Sequence, residues 1–168
     1  MADKTSFTPD EWKQILGGVM LAGLAVTTAA PSGLWGMLKE SMASGGALLQ
    51  AAQDPNSNAL VKAVVADFQT SEGRTAARDD IKAVLSGTAS TADAHAKAID
   101  ALKAVGTLLD SKASGDAAAF KAWLQSIGEK TANASNEGGF LGWGGVAVSD
   151  AEKVALDQIA KALTPASA

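Results

Sequence analysis

Between Lys13 and Lys39 lies a run without a single charge, QILGGVMLAGLAVTTAAPSGLWGML. Such a run must leave water, because exposed apolar surface costs free energy in proportion to its area. A membrane-spanning helix needs about 20 consecutive apolar residues. Pro31 and Gly33 interrupt the run, so Ile15–Ala30 is its unbroken part. That is short for a span and long enough for a core helix. The expectation is a buried helix, with membrane insertion as the alternative. Asp3, Asp10 and Glu11 precede the run, where a secretory leader would be basic.

Local signals frame this first helix. Thr8 can cap it, Pro9 suits its first position, and Glu11 stands three residues after Thr8 to close a capping box. Trp12, Ile15, Leu16, Val19, Met20 and Val26 fall near one face at helical spacing. Gly17, Gly18, Ala22 and Ala25 make a second face of small residues, which lets another backbone come close. The helix is expected over 9–29, with neighbours on two sides.

The same signals recur along the chain. Ser32 can cap a helix over 33–52, weakened by Ser44-Gly45-Gly46. Asp54-Pro55 suggests a start for a helix over 55–69. Further helices are expected over 72–86, stopped by Gly87, then over 91–111, 115–134 and 149–163. Ser149 and Glu152 form a capping box for the last. No stretch alternates convincingly with period two. The fold class is therefore all-α, a compact bundle of six to seven helices in one domain spanning 1–168. A glycine–aromatic loop over 136–148 and a frayed tail from about 164 complete it. Trp12 and Trp123 each open a helix that runs into a glycine–aromatic turn, which suggests two pseudo-symmetric helical hairpins. The expected core is Trp12, Ile15, Val19, Val64, Phe68, Leu102, Trp123, Leu124, Ile127 and Ile159.

Composition narrows the chemistry. There is no cysteine, which excludes thiol catalysis, thiolate metal sites and disulfides. The net charge is −4, and the basic residues are scattered, so nucleic acid is not an expected partner. His95 is the only histidine. Neither Asp93 nor Asp100 stands four residues from it, and it reads as a partly buried residue of its helix's first turn. Asp79 and Asp80 point in different directions on a helix. Phosphate-loop, dinucleotide and serine-hydrolase motifs are absent. The reading is of a protein that is not an enzyme, with no catalytic or metal residues and no cofactor, and an enzyme with an unrecognised site stands as the third alternative.

The remaining oddity is GGFLGWGG at 138–145. It can plug the protein's own core, with glycines supplying unusual backbone angles. It can also be a contact finger, because Trp suits both membrane interfaces and protein hot spots, or the wall of a small-ligand cleft. With the end of the uncharged run, it nominates Leu34, Trp35, Phe140, Leu141 and Trp143 as interaction residues. The expected partner is a second copy of the chain or another protein, with peripheral membrane contact as the alternative. The expected location is cytoplasmic or membrane-peripheral.

Ala132 and Ala134, then Glu137-Gly138, then Ser149, Glu152, Leu156, Ile159, Ala160 and Leu163 form a pattern that resembles the tellurite-resistance TerB family. The resemblance covers about a third of the chain. It implies a bundle of about seven helices and a place in metal-stress responses near membrane-associated complexes. The family's acidic turns suggest metal binding. Here Pro31-Ser32-Gly33 replaces one of them and only Glu137 survives from the other, so the resemblance implies the fold and not the metal site.

Overall fold

The computed structural model describes residues 1–29, 57–137 and 148–164, with side chains of 134–137 left aside. Among these residues the chain forms a short 3₁₀ turn, Lys4–Ser6, and six α-helices. They are α1 Pro9–Ala29, α2 Ala59–Gln69, α3 Ser71–Val84, α4 Thr91–Lys112, α5 Ser114–Glu137 and α6 Asp150–Leu163. The all-α bundle expected from periodicity is what forms. The expected helix over 33–52, the second arm of the first hairpin of the pseudo-symmetric pair, lies outside the described residues.

α1 occupies the centre. It packs against α3, α4, α5 and α6, and from Ile15 to Thr28 every residue except Met20 is buried. A helix that is apolar all round must be covered all round, and the small residues make this feasible. Gly17 faces Asp80 of α3, Gly18 faces Val105 of α4, and the Ala22 carbonyl faces Gly128 of α5. Ile15, Leu16, Leu21 and Val26 are each at most 1% exposed, and each contributes about 1.5–3 kcal/mol by leaving water. Thr27 and Thr28, buried near its end, satisfy their hydroxyls on the Gly23 and Leu24 carbonyls.

Most helix ends obey their capping signals. The Glu11 carboxylate accepts from the Thr8 amide at 2.8 Å, and Thr8 Oγ1 accepts from the Glu11 amide at 3.3 Å. Ser149 and Glu152 exchange the same pair of bonds at 2.8 and 3.3 Å. Gly87 takes φ +72° beyond α3, a conformation that suits glycine.

Three expectations need correction. α2 begins at Ala59, not at 55. Asn58 accepts from the Val61 amide at 2.8 Å and also donates to the Asp116 carbonyl at 3.0 Å, so tertiary contact fixes the cap there. α5 extends to Glu137, which shortens the expected loop of 136–148 from its start. Thr164 caps α6 by bonding back to the Ala160 carbonyl, and the tail expected beyond it lies outside the described residues. Phe68 and Trp123 are half-buried rather than fully buried. Phe68 sits in the last turn of α2, where packing thins. Trp123 lays its ring edge-on to Phe120, with centroids 5.2 Å apart.

Candidate functional site

Leu34, Trp35, Phe140, Leu141 and Trp143 all lie outside the described residues. Their points of attachment do not. At one end of the bundle, Lys112 of α4 pairs with Glu11 of α1 at 2.7 Å. The Ala2 amide donates to the buried Asp116 carboxylate at the start of α5, at 2.6 Å. Further along, Ala22 of α1 meets Gly128 of α5. α1 and α5 therefore run parallel. Ala29, which leads into the segment holding Trp35, and Glu137, which leads into the segment holding Trp143, emerge at the same end. α6 starts at that end too, because Gln158 reaches the level of Ala25 through His95 while Leu163 lies further back, against Gly106.

His95 marks the polar junction near this end. Its Nδ1 lies 2.8 Å from the Ala25 carbonyl and 3.5 Å from Thr28 Oγ1, and its Nε2 lies 2.6 Å from Gln158 Oε1. A carbonyl only accepts, so Nδ1 carries a proton. A neutral ring then accepts at Nε2 from the Gln158 amide turned about, whereas an imidazolium donates at both nitrogens. Either way the ring ties α1, α4 and α6 together, and it is half-buried, as expected. Its partners could not be found in the sequence, because Ala25 and Gln158 stand 70 and 63 residues away.

The opposite end is organised by Asp67. It accepts from the Trp12 indole N–H at 2.7 Å and from Lys4 at 3.1 Å. Trp12 also packs on Phe7, with centroids 5.9 Å apart. Lys121, buried, is held at 2.6 Å by Asp110 across the α4–α5 turn. These contacts tie the elements of the bundle to one another.

Two carboxylates on the surface are tuned downward. Hydrogen bonds from Thr5 hold Asp3 below its ordinary value, and the Lys112 ammonium does the same for Glu11. Asp79 and Asp80 diverge as their positions on a helix require. Asp79 is exposed beside Lys82 at 3.9 Å, whereas Asp80 turns inward and is 8% exposed. Burial pushes the Asp80 carboxyl up, against the pull of Lys13. A shallow groove of about 400 Å³ runs alongside, lined by Lys13, Ser71, Glu72, Thr75, Ala76 and Asp79.

Among the described residues, no three His, Cys, Asp or Glu side chains gather to hold a metal ion, and no helix is long and apolar enough to cross a membrane. Only Met1 and Val154 expose a large apolar side chain there. No family model matches the chain, and neither does any curated protein or solved structure.

Proposed function

We propose that the chain is a non-enzymatic helical scaffold that associates with a second copy of itself through its two glycine–aromatic segments. Leu34 and Trp35 supply one half of the contact, and Phe140, Leu141 and Trp143 supply the other. The observation that supports this is the parallel course of α1 and α5, which roots both segments at one end of the bundle. Apolar groups rooted together can form one patch. Aromatic side chains at the middle of such a patch carry most of the energy of an interface.

The test is Trp143→Ser, alone and with Trp35→Ser, followed by sedimentation velocity, thermal melting and liposome flotation. The expected result is an unchanged melting temperature with a shift of the sedimenting species to monomer. A lowered melting temperature at constant oligomer size makes Trp143 a core plug and refutes the proposal, since a lost buried aromatic costs about 3–5 kcal/mol. Loss of flotation without change in oligomer size transfers the contact to a membrane surface. Stabilisation that grows with added calcium, magnesium or zinc would instead favour the metal-stress role implied by the TerB resemblance.

A further inference from the structure

We propose that Asp80 is a proton-operated latch between α1 and α3, which holds the helices together when the carboxyl is neutral and loosens them when it ionises. This goes beyond the scaffold reading and does not rest on it.

The geometry is specific. Asp80 is 8% exposed, and its Oδ2 lies over the α1 backbone, only 1.9 Å from where a Cβ on Gly17 would stand. Among the described residues no donor hydrogen-bonds to the carboxyl. The little contact with solvent that remains offsets this burial only in part, so the charged form costs more than the neutral acid.

The surroundings do little to hold the charge. From α1, Lys13 pulls the carboxyl the other way, with a weaker effect than burial. On α3 itself, Asp79 faces solvent and pairs with Lys82. On α2, Asp67 is engaged by Lys4 and Trp12. At the α3–α4 turn, Lys97 donates to the Ser86 carbonyl.

Burial prevails over Lys13, so the folded carboxyl holds its proton to higher pH than the unfolded one. The stability it contributes is complete below the ordinary 3.8 and is lost as pH rises through the raised folded value. Acid therefore tightens α3 on α1. Rising pH loosens it along the groove that holds Lys13, Glu72 and Thr75.

Hydrogen exchange of the α3 amides tests this on the full chain, in wild type, D80N and D79N, from pH 4 to 8 after correction for intrinsic rates. Wild-type protection should fall with pH, by up to about tenfold per pH unit where the two states differ by one proton. D80N should be flat and better protected than wild type at pH 8, and D79N should follow wild type. A flat wild-type profile, or the same slope in D80N, overturns the latch. A second measurement needs no variant. The ¹³C signal of the Asp80 carboxyl should titrate above 3.8, and a midpoint at or below that value overturns the proposal as well.

Discussion

Replacing Gly17 by alanine is expected to destabilise the protein, although alanine is the better helix former. In an exposed helix the exchange gains about 1 kcal/mol. At Gly17 the new Cβ would stand 1.9 Å from Asp80 Oδ2, 2.6 Å from Cγ and 2.9 Å from Cβ. The carboxylate can rotate away, but the Asp80 Cβ is fixed to α3, so the two helices must also separate by some tenths of an ångström. Overpacking of this kind costs about 1–3 kcal/mol. The carboxylate oxygen's overlap is severe, which places the cost at the upper end and the net loss near ~2 kcal/mol. Urea denaturation followed by circular dichroism measures it directly. Gly115→Ala is the matched control, because nothing lies within 4 Å of its added Cβ, and it should gain about 0.4–1 kcal/mol. In an Asp80→Ala background only the 2.9 Å contact remains, and the cost of Gly17→Ala should fall by at least ~1 kcal/mol, as expected for residues in contact. A Gly17→Ala protein as stable as wild type, or an equal cost in both backgrounds, refutes the reasoning.

Trp12→Phe keeps most of the ring but removes the donor to Asp67. It should cost about 1.5–3 kcal/mol, the range for a hydrogen bond to a charged group, read as a drop in the urea midpoint. Glu11→Gln removes a carboxylate that is held below its ordinary 4.5 by Lys112. Glu11 stabilises the fold above 4.5 and loses that contribution as pH falls through its lower folded value, so the acid limb of stability between pH 5 and 2 should be shallower in the variant. An unchanged acid limb would show that the Lys112 contact contributes nothing to the fold.

The helices were legible because their signals are local. Thr8-Pro9-Asp10-Glu11 and Ser149–Glu152 each specify a helix start within four residues, and both boxes form as read. The small-residue face of α1 announced close neighbours, and Gly17, Gly18 and Ala22 each meet one. What could not be read depends on contacts distant in sequence. Asn58 wins the α2 cap because Asp116 is beside it, 58 residues on. Nothing adjacent to Asp80 says that it, and not Asp79, turns inward. A helical wheel separates the two aspartates without saying which direction is the core. The interaction residues were nominated from glycine and aromatic content alone, and the structure adds only where their segments are rooted.

The central position of α1 has a consequence for biosynthesis. This helix leaves the ribosome before all of its walls. Ala25 waits for His95, 70 residues later, and the final wall, α6, ends only at Leu163. At translation rates of roughly 5–20 residues per second, the wait is on the order of ten seconds. During that interval the apolar Ile15–Thr28 stretch has no complete shelter and is open to holding chaperones or to other nascent chains. A product truncated ahead of α6 never closes that side, so shortened chains should be recovered as aggregates even though five of the six described helices are present.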